Sequence, residues 1–160
     1  MLKNKYIMHE VHDDGICFIN LNRNSINTLN ISYIDELYNV IDSIRNNQSA
    51  RILIIRSTQK HFCAGAELKE RDNMNNEETI EFLKKLNTCF NLLENLDIPS
   101  IASMHGAALG GGFELSLCCD FRIASESSIL GLPETSIGII PGAGGTYRLS
   151  RLIGISKAKY

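Results

Sequence analysis

Residues 51–56 enclose Ile52-Leu53-Ile54-Ile55, four apolar side chains in a row with an arginine at each end. A run so short, with no polar alternation, reads as a buried strand of a parallel sheet. Parallel neighbours cannot be joined by a tight turn. Each needs a crossover of a dozen residues or more, usually a helix. The rest of the chain therefore has to supply helices between strands.

It does so on both sides. Residues 31–44 place Ile34, Leu37, Tyr38, Ile41 and Ile44 at helical spacing. Residues 77–95 place Ile80, Leu83, Leu86, Phe90 and Leu93 on one predicted face, with Pro99 as the stop signal. Strands are predicted at 100–105, 120–125 and 129–132. A helix opens at Gly110-Gly111-Gly112, and a last one covers 147–152 behind the glycine-rich loop 141–145. At the start, residues 6–12 and 15–21 alternate about Asp13-Asp14-Gly15, a hairpin signal. Strands alternating with helices define an α/β fold, and the 160 residues fit a single domain spanning 1–160.

Composition narrows the function classes. Hydrophobic residues make up 44% and charged residues 21%, an ordinary balance for a folded domain. The net charge of −2 favours neither nucleic acid nor an anionic membrane. No apolar run reaches the roughly 18 residues of a membrane-spanning helix. Residues 1–8 show neither a secretory h-region nor a transit-peptide pattern. The expected compartment is the cytoplasm, or the mitochondrion if a presequence has been removed. Cys17, Cys63, Cys89, Cys118 and Cys119 form no Cys-x-x-Cys pair and have no histidine at zinc spacing. They read as reduced thiols, with Cys63 packed beside a loop, and no metal is expected.

Two features suggest chemistry. Glycines between a strand and a helix let backbone amides approach a ligand, and the helix N-terminus adds positive potential. Glu114 follows in the first turn, and Phe113, Leu115, Leu117 and Cys118 around it leave little water. Such a carboxylate tends toward a raised pKa, which suits general acid–base work. The same residues also read as a tight turn and a dipole-complementing glutamate. A phosphate loop would need a Lys-Ser/Thr ending or a dinucleotide spacing, and the chain has neither.

Longer motifs add to this. The stretch 101–121, IASMHGAALGGGFELSLCCDF, resembles the signature of the crotonase (enoyl-CoA hydratase/isomerase) superfamily. The stretch 62–69, FCAGAELK, resembles that family's first oxyanion loop. GLPET at 131–135 and PGAGGTYR at 141–148 resemble its second catalytic segment. Residues 51–57 and 64–71 are similar to the AU-binding, methylglutaconyl-CoA hydratase type. The resemblance implies a crotonase-like (ClpP/crotonase) spiral core of ββα units. It implies hydration of an enoyl-CoA thioester in fatty-acid or branched-chain amino-acid breakdown, by syn addition of water.

Carried over by position, the amides of Ala66 and Gly111 form the oxyanion hole, and Glu114 and Glu134 are the two carboxylates. Coenzyme A would lie along Ser25, Ile26, Ala64, Ala66, Glu67, Leu68 and Lys69. No cofactor is implied, since coenzyme A belongs to the substrate. Glu67 stands where the family usually has Asp, one methylene shorter. Members of the family continue beyond Tyr160 into helices that close the acyl pocket and build a trimer or a dimer of trimers. That C-terminal region is expected to be missing here. Leu149, Leu152, Ile153 and Ile155 would then lack their cover, so the chain is expected to self-associate or dissolve poorly, and to hydrate weakly if at all. Alternatives remain: an isomerase, hydrolase or decarboxylase on the same scaffold, an inactive truncated paralogue, or an AU-rich RNA-binding module. Residues 35–51 contain no lysine, which argues against RNA.

Overall fold

A computed structural model describes residues 5–159. Residues 1–4 and 160 lie outside this range, so the N-terminal targeting reading and the ends of the 1–160 domain fall partly outside the described residues.

The chain begins with the expected hairpin, β1 (Ile7–Val11) antiparallel to β2 (Ile16–Leu21), turning through Gly15 at φ +85°. Then follow α1 (Ile31–Arg45), β3 (Ile52–Ser57), a short α2 (Leu68–Asp72) and α3 (Asn76–Glu94). The strands β4 (Ser100–Met104) and β6 (Phe121–Ala124) flank a third strand, β5 (Ala107–Leu109), and the helix α4 (Gly111–Leu117). The strand β7 (Ile129–Gly131), a 3₁₀ helix at Pro133–Ile137, α5 (Gly145–Ile153) and α6 (Ile155–Ala158) complete the order. Every connection that joins β2, β3, β4 and β6 is parallel, giving a five-stranded sheet in the order β1-β2-β3-β4-β6.

A second, smaller ladder runs beside that sheet. β5 pairs with β7 in parallel, Cys63 bridges Ala108, and Leu29 bridges Ala66. Each turn of the chain thus makes a long strand, a short extended piece, and a helix. That repeated ββα unit is the spiral expected from the sequence.

Helix boundaries follow local chemistry. The Asn30 side chain caps α1 by accepting from the Tyr33 amide. Asn75 and Glu78 form a reciprocal capping box that starts α3. The helix α3 stops at Glu94 with Asn95 as its cap, so Pro99 marks the entry to β4 and does not end the helix. Its buried face matches the predicted one at Leu86, Phe90 and Leu93, with Leu83 packed partly buried against the core, and departs from it at Ile80. Phe82, Leu86, Cys89, Phe90 and Leu93 face the core, and Ile80 is exposed. Ile80 sits about 200° around the helix from Phe82, so both cannot face inward. Leu53 and Ile55 of β3 are fully buried, while Ile52 and Ile54 on the opposite face are half-buried. The core lies between the Leu53 face and helices α1 and α3, with Tyr33, Phe62, Phe82 and Phe90 as its largest members. Among the described residues, no helix is long and apolar enough to cross a membrane.

One polar residue ties the two ladders together. Asn27 is fully buried at φ +50°, between β2 and α1. Its amide nitrogen donates to Ser57 Oγ at 2.8 Å, Phe62 O at 3.1 Å and His61 O at 3.2 Å, and its side-chain oxygen accepts from the Arg23 amide at 2.7 Å. Asparagine tolerates the left-handed backbone better than most residues with a Cβ. Asn27→Ala should leave these partners unsatisfied and strain the backbone, at a cost of about 2–4 kcal/mol. Urea unfolding should show a lower midpoint at unchanged slope. A midpoint equal to that of the parent chain would remove Asn27 from this role.

Candidate active site

The short ladder delivers the candidate residues to one place. The loop after β3 lies against the turn between β5 and α4. Cys63 exchanges backbone hydrogen bonds with this segment, its amide to Ala107 O at 3.1 Å and its carbonyl from Leu109 N at 3.0 Å. Two further bonds hold Ala66 in register: Leu29 N to Gly65 O and Glu67 N to Leu29 O, both 2.8 Å. Gly112 has no room for a side chain, since a Cβ there would collide with the Cys63 carbonyl. Gly110 takes φ +51°, which turns the chain from β5 into α4.

Gly111 marks the centre. A Cβ placed on it would stand 3.9 Å from the Ala66 amide nitrogen, 3.9 Å from Glu114 Oε2 and 3.1 Å from Leu29 Cδ1. A Cβ on neighbouring Gly110 would stand 3.0 Å from Glu134 Oε1. Among the described residues, neither the Ala66 nor the Gly111 amide donates to another protein group. Both carboxylates and both free amides therefore border the same two glycines, although Glu114 and Glu134 are far apart in sequence.

Burial sets the electrostatics. Glu114 is 2% exposed and Glu134 9%. Glu114 Oε1 accepts from Ala143 N and Gly145 N, each at 2.8 Å. Desolvation pushes the Glu114 carboxyl above its ordinary pKa. The Gly145 and Ala143 amides pull it back, the Glu134 charge adds to the rise, and Arg148 opposes it. Desolvation also raises Glu134, whose Oε2 has no hydrogen-bond partner among the described residues.

The coenzyme A candidates are less tightly grouped. Ile26 adjoins the loop, its carbonyl accepting from Ala64 N at 2.9 Å. Ser25, Leu68 and Lys69 are exposed. The longer Glu67 side chain is taken up by Thr28 Oγ1 at 2.7 Å and Arg23 Nη1 at 3.3 Å, which lower its pKa, Thr28 foremost. Cys63 is a packing residue: its thiol donates to Asn27 O at 3.0 Å, and burial pushes its pKa up to about 12. Among the described residues, no three histidines, cysteines, aspartates or glutamates are grouped to hold a metal ion. Sequence reasoning assigned no part to Asn27 or Arg148. Both are polar residues at buried positions, a signal visible only once burial is known.

Two undonated amides and two desolvated carboxylates thus lie about Gly110 and Gly111, where the short ladder meets the start of α4. The comparisons make this specific. Residues 12–160 match the family model described as enoyl-CoA hydratase/isomerase, and the chain belongs to that family. A probable mitochondrial enoyl-CoA hydratase of Arabidopsis thaliana is 48% identical over 149 residues, covering 92% of this chain and 50% of that protein. The human mitochondrial methylglutaconyl-CoA hydratase is 44% identical over 152 residues, covering 94% of this chain and 45% of that protein. An enoyl-CoA hydratase from Bacillus anthracis superposes with a TM-score of 0.92 at 44% identity, covering 97% of this chain and 61% of that one. The chain thus spans about half the length of the curated relatives it matches.

The raised Glu114 pKa has a consequence for stability. A carboxyl whose folded pKa exceeds its unfolded value binds more protons when folded. Stability then falls as pH rises from the unfolded pKa through the folded one, and the full penalty remains above that. Glu114→Gln keeps an oxygen for the two amides and removes the charge. Its stability relative to the parent should therefore improve from acidic to neutral pH. Urea midpoints of both chains at acidic and neutral pH measure this, and a constant difference would contradict the assigned cause.

Proposed function

We propose that this site hydrates the C2–C3 double bond of a trans-2-enoyl-CoA thioester by syn addition. The observation that supports this reading best is the convergence about Gly111. Two unengaged amides and the Glu114 carboxylate border the same small space, and Glu134 Oε1 stands 3.0 Å from where a Cβ on Gly110 would lie. Conjugate addition of water develops negative charge on the thioester oxygen, and the amides of Ala66 and Gly111 stabilise it there. Losing one such donor typically costs roughly 10²–10³ in rate.

Glu114 orients the water and takes its proton as the oxygen attacks C3. Glu134, which enters the step protonated, shares that water and delivers its proton to C2. The proton taken up by Glu114 then passes to Glu134, so both carboxyls return to their starting states. The product gains one hydroxyl and one hydrogen, both from water, and the substrate's coenzyme A is the only nonprotein group required. Coenzyme A lies along Ser25, Ile26 and 64–69 in this reading, with Lys69 free to meet phosphate charge. Relatives described as mitochondrial support the mitochondrial one of the two expected settings.

Glu114→Gln and Glu134→Gln should each lower crotonyl-CoA hydration by roughly 10²–10⁴. Coenzyme A affinity should barely change, as read by calorimetry. Unaltered turnover in either variant removes that residue from the mechanism. Conversion of a 3-enoyl-CoA to its 2-enoyl isomer without hydration would replace the hydratase reading with an isomerase one.

Self-association belongs to the same proposal. Leu152, Ile153 and Ile155 are 52%, 44% and 66% exposed. The first two border an apolar groove of about 250 Å³ that also involves Met104, Phe113, Leu130 and Leu149. Contiguous apolar surface of this kind favours association. Sedimentation velocity should show concentration-dependent species, which Leu152→Ser with Ile153→Ser should shift toward monomer. A monomer at all concentrations would refute it.

A further inference from the structure

Arg148 is 3% exposed, and the mechanism above gives this buried cation no task. Its contacts are specific. From α5, Nη1 donates to the Ala143 carbonyl at 2.6 Å. Nη2 donates to Glu94 Oε2 at 2.6 Å and Asn91 Oδ1 at 2.9 Å, both on α3. The guanidinium therefore straps loop 143–145 to the end of α3.

The same loop grips the active carboxylate. Ala143 N and Gly145 N both donate to Glu114 Oε1. Ala143 is thus held from two sides, its carbonyl by Arg148 and its amide by Glu114. With Oε1 committed, Oε2 is the oxygen nearer Gly111, 3.9 Å from where a Cβ would stand. A carboxylate that can swivel would offer either oxygen at varied angles, and small displacements of a reacting group are costly in rate.

We infer that Arg148 is a positioning residue: through the Ala143 carbonyl it fixes the loop that pins Glu114 Oε1 and so presents Oε2 to the reacting water. The inference rests on the reading of Glu114 as the carboxylate that handles water. The groups facing that carboxylate are the Ala143 and Gly145 amides from the loop, Glu134 from the 3₁₀ helix and Arg148 from α5. On its own helix, the Cys118 thiol donates to the Glu114 backbone carbonyl at 3.2 Å and leaves the carboxylate untouched. Glu94 lies behind Arg148 as its counter-ion. Arg148 is the only cation in this set. Its removal slackens the two amides and withdraws the positive charge, and both changes favour the protonated acid.

The test uses the 160-residue chain with Arg148→Gln and Arg148→Lys. Amide exchange should quicken by about tenfold or more at Ala143 and Gly145, with β3 amides unchanged. The Glu114 carboxyl, followed by ¹³C NMR and assigned by its absence in Glu114→Gln, should titrate at higher pH in Arg148→Gln. The acid limb of crotonyl-CoA hydration should move the same way, with kcat lower by about ten- to a hundredfold and KM little changed. Lysine should give intermediate values, since one ammonium cannot replace the two-pronged fork. A folded Arg148→Gln chain with unchanged exchange at both amides and an unchanged Glu114 titration overturns the inference. Loss of the fold in both variants, with Glu114→Gln still folded, also overturns it by placing Arg148 in the framework alone. Hydration that survives Glu114→Gln defeats the reading of Glu114 itself, while exchange and titration still decide the case for Arg148.

Discussion

The backbone hydrogen bonds of the short ladder are what the rest of the site depends on. They are few: Leu29 with Gly65 and Glu67, Cys63 with Ala107 and Leu109, and β5 with β7. Each joins segments from different turns of the spiral. Once formed, they leave the Ala66 amide unspent, because a residue in a bridge of this kind spends its neighbours' groups on pairing and keeps its own, while the Gly111 amide is unspent as the first N–H of α4. The site is therefore a by-product of pairing geometry, placed where the ladder meets the start of α4.

Two carboxylates in that setting are held against their own solvation. Glu114 keeps its place because two backbone amides and a nearby guanidinium partly replace water. Glu134 has less support, with one oxygen lacking any partner among the described residues. The two sites differ in kind: one carboxylate is pinned and charge-compensated, the other is desolvated and loosely held. Such a difference in environment is how one fold can separate the duties of two identical side chains. Arg148 and Glu94 extend the arrangement outward to the end of α3, so the loop that holds Glu114 is tied to that helix.

Most of the long elements were legible in the sequence, since Ile52–Ile55 and the apolar spacing of 31–44 carry strong periodic signals. The short ones were not. β7 is the exception, expected at 129–132 and found at Ile129–Gly131, but β5 has three residues, too few to show a period, and the pairing of the two is a matter of tertiary contact. The helix α2 and the 3₁₀ helix hide in segments that read as loops. On α3 only Ile80 departs from the expected face, since it satisfies a helical template nearly as well as Phe82 and Cys89, and packing decides between them. At the site, Glu114, Glu134, Ala66 and Gly111 were named from motifs, and the fold places them together. Asn27 and Arg148 were silent because polar residues declare themselves only when their burial is seen.

The five thiols extend the picture from structure to time. All are buried. Burial pushes the pKa of Cys63 and Cys119 up to about 12 and raises the other three as well. Since the thiolate is the reactive species, the closed molecule shields its own sulfur from alkylation and oxidation. Modification must then wait for the chain to open. Cys17 lies on β2, Cys63 in the short ladder, Cys89 on α3, and Cys118 and Cys119 at the end of α4. Each layer of the spiral thus carries its own built-in clock, and the order in which the sulfurs become reactive records the order in which the layers part.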